Sequence, residues 1–81
     1  MGNRFSEEQH LLVANRHIDE ARRRIAHLAA HVDRFRANGT SAPDAEMLLC
    51  LMRDALRTMI LHRKQIEREI EDQRGRLDKL W

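Results

Sequence analysis

Asn38-Gly39-Thr40-Ser41-Ala42-Pro43 is the one cluster of helix-breaking residues in this chain, and it separates two long runs of helix formers. Two such runs joined by so short a connection fold back on each other as a helical hairpin. Asn38 and Gly39 tolerate the left-handed backbone that closes a helix, and Arg34 and Arg36 in the preceding turn suit the negative end of its dipole. Ser41 reads as the cap of the second helix, with Pro43 in the first turn, where a missing N–H does no harm, and Asp44 at the reciprocal position. Upstream, Ser6 with Gln9 three residues later makes a second capping pair, and Glu7 and Glu8 face the positive end of the dipole. The expected elements are therefore a first helix over about 7–37, a turn over 38–41 and a second helix over about 42–80, all in one domain spanning 1–81. Gly75 is the weak point inside the second helix, where the chain is expected to fray or bend.

The spacing of apolar residues sets how the helices meet. Leu11, Ala14, Ile18, Ala21, Ile25, Leu28, Val32 and Phe35 recur at alternating steps of three and four, as do Leu49, Met52, Leu56, Met59, Arg63, Ile66, Ile70, Gln73, Leu77 and Leu80. A repeat of about 3.5 residues sustained this long marks a coiled-coil seam, since a straight helix drifts about 20° per heptad away from it. In an antiparallel hairpin closed at the turn, residue i of the first helix lies near residue 80 − i of the second. Leu28 then meets Met52, Ala21 meets Met59, and the end of the second helix projects past the start of the first.

The second helix is apolar over more of its circumference than one neighbour covers. Adding Ala45, Leu48, Ala55 and Ile60 to its seam widens the stripe to roughly 140°, against about 100° for a helix facing a single core. The expectation is all-α: a coiled-coil-like two-helix hairpin that dimerises into an antiparallel four-helix bundle, with Leu48, Leu49, Met52, Ala55, Leu56, Met59 and Ile60 at the dimer interface. Met47, Cys50, Leu51 and Leu61 fall on the back of the same helix and form a second candidate docking surface. Leu77, Leu80 and Trp81 form an apolar tip, covered by Phe5 and the N-terminal arm or used as a partner-docking hook.

Composition narrows the function classes. With 42% hydrophobic and 35% charged residues, three Gly and one Pro, the 81-residue chain is neither disordered nor collagen-like. No apolar run approaches the ~18 residues of a membrane span, and no secretory pattern opens the chain, so a cytoplasmic location without membrane contact is expected. Cys50 is the only cysteine and sits between Leu49 and Leu51, where it reads as apolar filler. No nucleophile with its base, paired acids or phosphate-cradling glycine loop is present, so neither enzymatic activity nor a cofactor is expected.

The polar residues that stand out are histidines and arginines. His27 and His31 are one turn apart and form the weak candidate for metal ligation, short of the three or four ligands of a zinc site. His10, His17 and His31 flank the seam with Arg24 between them, and the hairpin register brings His17 toward His62 and Arg63. Such a cluster predicts association that weakens below about pH 6 as imidazoles protonate. Arg63 interrupts the seam and needs an acid, Asp19, Glu20 or one from a second subunit, or else must reach the edge. Arg16 and Arg22-Arg23-Arg24, with an isoelectric point near 9.3, support an alternative reading as a small dimeric nucleic-acid-binding hairpin. Three successive helical residues spread over about 200°, however, and opposite charges such as Asp19 with Arg23 and Glu20 with Arg24 stand four apart, with a net charge of only +2.

His17-Ile18-Asp19-Glu20-Ala21-Arg22-Arg23-Arg24-Ile25, the Asn38-Gly39 turn followed by Ala45-Glu46-Met47-Leu48-Leu49, and Leu61-His62-Arg63-Lys64-Gln65-Ile66 resemble a group of short bacterial proteins with no assigned role. The resemblance covers about residues 11–66. It implies a helical hairpin and carries no activity, ligand or site. The sequence reading is thus a non-enzymatic homodimeric bundle acting through protein–protein interaction, as a structural or regulatory adaptor.

Overall fold

Helix formation runs without interruption on either side of the glycine turn. A computed structural model describes residues 4–79, with helix α1 over Arg4–Ala37 and helix α2 over Pro43–Lys79 packed along each other. Among the described residues there is no strand.

Helix α1 starts at Arg4, ahead of Ser6, so Ser6 lies in the first turn and does not cap it. Nothing between Arg4 and Ser6 resists helical backbone, and the helix propagates through the residue that has capping chemistry. Glu7 still stands in the first turn, at the positive end of the dipole. The cap of α2 is displaced by one residue. The Glu46 N–H donates to the Ala42 carbonyl at 2.9 Å, which puts Ala42, not Ser41, at the cap and Pro43 at the first helical position.

The end of α1 is closed by main-chain bonds that require Gly39. Its φ of 74° lies in the left-handed region. The Gly39 N–H then donates to the Arg36 carbonyl at 3.0 Å and the Thr40 N–H to the Phe35 carbonyl at 2.9 Å, the paired bonds of a Schellman closure. The Thr40 hydroxyl donates to the same Phe35 oxygen at 3.1 Å. Two cross-hairpin side-chain bonds, Arg36 to Glu46 and Arg63 to Asn15, bracket the expected register, one two residues above it and one two below.

The core is one seam. Ile18 and Val32 of α1 and Leu49, Ile66 and Ile70 of α2 are buried, and Leu11, Ala14, Ala21, Ile25, Leu28, Phe35, Met52, Leu56 and Met59 are half-buried at the expected positions between them. Gln73 is half-buried on the same line, whereas Leu77 is exposed and Leu80 and Trp81 lie outside the described residues. The proposed cover by Phe5 also falls outside the described side chains. Helix α2 continues through Gly75 without a break.

A two-helix layer leaves much surface open. The molecule measures 66 × 19 × 15 Å with a radius of gyration of 18.6 Å, against about 12 Å for a globular chain of this length. Its accessible surface is 6693 Å², against about 5,100 Å² for a compact monomer of its mass. No described helix is long and apolar enough to cross a membrane.

The two described glycines predict opposite effects. Apart from the adjoining residues and the helix's own backbone, no atom lies within 4 Å of a Cβ built at either, so backbone conformation alone decides. Gly39→Ala forces an alanine into the left-handed region and is expected to cost about 1 kcal/mol or more. Gly75→Ala, in ordinary helical backbone, is expected to add about 1 kcal/mol. Urea melts at one protein concentration check both signs.

Candidate functional site

In an antiparallel pair, the residues flanking the seam on one side of α1 run beside one flank of α2, and the remaining flanks meet on the other side. The hairpin thus has two broad faces of different chemistry.

On the first face, His10 and His17 of α1 and His62 of α2 line one open hollow of about 400 Å³, together with Val13 and Ala14, and its walls are mainly apolar. The helical spacing continues this flank from His10 and His17 to Arg24 and His31 on α1, and from His62 back to Ala55 and Leu48 on α2. His27, one turn before His31, and Leu51, one turn after Leu48, lie on the outer side of the same face. All five histidines of the chain therefore belong to this face. Its apolar members are open to solvent: Val13 is 46% exposed, Leu48 49% and Leu51 59%. The His31 ring meets Phe35 edge-on, with centroids 4.9 Å apart.

The opposite face carries the polar bonds that tie the helices. Arg36 donates from Nε at 2.9 Å and from Nη2 at 2.5 Å to one carboxylate oxygen of Glu46. Further along, Arg63 leaves the seam toward this face, donating from Nη1 to Asn15 Oδ1 at 3.3 Å with its Nε 3.6 Å from Glu67. The expected acids Asp19 and Glu20 are not its partners. A guanidinium on the seam reaches water most directly along its own helix, and the carboxylate one turn onward lies on that path. Arg63 is consequently absent from the His17–His62 hollow, contrary to the cluster expected from the register. Its Nε and Gln73 Oε1 are buried without a hydrogen bond, so both seam polar groups weaken the packing they interrupt.

The residues expected at a dimer interface divide in two. Leu49 is buried in the hairpin itself, and Met52, Leu56, Met59 and Ile60 are half-covered there, while Leu48 and Ala55 remain exposed. Met47 and Leu61, 67% and 64% exposed, stand on the edge of α2 away from α1. Cys50 is exposed, which replaces its reading as apolar filler. At the tip, Leu77 is exposed.

Other candidates stay dispersed. His27 and His31 are both exposed, and no third donor joins them among the described residues. Arg16, Arg22, Arg23 and Arg24 are exposed, but Arg22 flanks the polar face, Arg24 the histidine face, and Arg23 points between. Ion pairs join Arg36 with Glu46, Arg57 with Asp54 and Arg63 with Glu67, and Asp19–Arg23 and Glu20–Arg24 are not among them. A second, polar hollow is lined by Lys64, Glu67, Arg68 and Glu71, whose charges cancel.

Sequence reasoning passed over Leu12 and Val13, which are exposed on α1. Val13 stands three residues after His10 and four before His17, so the spacing that grouped those histidines also placed a branched apolar residue between them. No protein-family model, curated protein or solved structure matches the chain.

The seam arginine yields a direct test. Arg63→Met removes a half-buried guanidinium whose Nε has no acceptor and restores an apolar seam position, so stability is expected to rise by about 1 kcal/mol. Denaturant melts of the variant check it, and a loss of that size would mean that the Asn15 and Glu67 contacts outweigh the interrupted packing.

Proposed function

We propose that this protein is a non-enzymatic homodimer whose two hairpins complete a four-helix bundle, and that it acts by protein–protein interaction as a structural or regulatory adaptor. One observation carries this reading. Among the described residues seven large apolar side chains are exposed, Leu12, Val13, Met47, Leu48, Leu51, Leu61 and Leu77, against five buried in the core. Scattered exposed leucines are ordinary, but a surplus over the core on a layer two helices thick is the pattern of an element that packs against another layer. The accessible surface in excess of a compact monomer is about 1,600 Å², and a standard interface removes about 800 Å² per partner. Closed two-fold pairing of identical chains is the commonest way such surface is covered.

The nucleic-acid alternative, through Arg22, Arg23 and Arg24, has less support because these side chains divide among separate faces. It predicts salt-sensitive duplex binding, whereas the adaptor reading predicts none above the weak level of any mildly basic protein.

Sedimentation at micromolar concentration tests the proposal. The expected species has twice the chain mass of 9.6 kDa, and a folded helical monomer there contradicts it.

A further inference from the structure

We infer that the second copy docks on the histidine face, running antiparallel, so that Leu48 and Leu51 of each chain enter the hollow between His10, His17 and His62 of the other. The inference rests on the homodimer reading and adds which surface is used and in which direction.

Three observations carry it. First, the two faces differ in what they have left to satisfy. The polar face has spent Arg36, Glu46, Asn15, Arg63 and Glu67 on bonds within the chain, whereas the histidine face has an open apolar hollow at one end and exposed Leu48 and Leu51 at the other. Second, these two features are complementary and far apart on one chain. Leu48 and Leu51 lie near the turn and the hollow lies toward the opposite end, so a single copy cannot fill its own. A two-fold axis across the face near Arg24 and Ala55 carries each leucine pair onto the other copy's hollow and satisfies both ends at once. Parallel docking would set leucine against leucine and hollow against hollow. Third, a face 66 Å long and 19 Å wide has room for the about 800 Å² per partner that a stable interface needs.

Disulfide trapping together with sedimentation tests the arrangement in the full chain. In a Cys50→Ser background, His62→Cys protein mixed with Leu48→Cys protein is expected to form a covalent dimer under mild oxidation, and Leu48→Cys alone is not. Self-linking of Leu48→Cys in place of the mixed dimer would overturn the antiparallel direction. By sedimentation, Leu51→Glu is expected to weaken the dimer at least tenfold, and Leu12→Glu, on the other side of α1, is expected to leave it within about twofold, both with helicity matching the unmodified chain by circular dichroism. A dimer broken by Leu12→Glu and kept by Leu51→Glu would overturn the face while leaving the homodimer reading intact. An unmodified chain that sediments as a monomer would remove both.

Discussion

A single apolar seam, repeated about every 3.5 residues, holds the two helices together, and every other feature of the molecule is arranged around it. It buries Ile18 and Val32 against Leu49, Ile66 and Ile70, fixes the antiparallel register, and by fixing it decides which flank of α1 lies beside which flank of α2. The Schellman closure at Gly39 serves this seam, because it turns the chain within a few residues and brings Arg36 to Glu46 without slack. Where the seam is interrupted, at Arg63 and Gln73, buried polar atoms are left without hydrogen bonds. These positions trade packing for whatever definition of register they provide.

The same seam limits the fold. Two helices meeting along one line cover only the sides that face each other, and the result is a rod with a radius of gyration of 18.6 Å and, among the described residues, with more large apolar side chains exposed than buried. A longer seam would not change this, since extending the rod adds exposed flank as fast as buried line. Only a second layer changes the ratio of covered to open surface.

Much of the fold was legible because helix propagation and apolar spacing are local. Each expected seam position from Leu11 to Gln73 is buried or half-buried, and the turn lies where Asn38-Gly39 placed it. The helix starts were less legible: Ser6 and Ser41 have capping chemistry, yet the chain entered helix before one and after the other, a choice made by a few tenths of a kcal/mol that propensities do not resolve. The candidate site was legible only in outline. His17 and His62 line one hollow, as the register required, but the direction taken by the Arg63 side chain depended on Asn15 and Glu67 as nearby acceptors, and a seam assignment alone does not specify it. Val13 escaped notice because it lies off the seam, although its spacing from His10 and His17 placed it in the hollow.

On the proposed reading, one hairpin is an incomplete structure whose folding is linked to the arrival of a second. The most direct measurement is thermal unfolding of the intact chain, followed by circular dichroism, across a concentration range of about a hundredfold. For a folded state that exists as a dimer, mass action requires the midpoint to climb steadily with concentration. A midpoint that stays fixed over that range, with full helicity at the lowest concentration, would mean that a single copy is complete and would contradict the account.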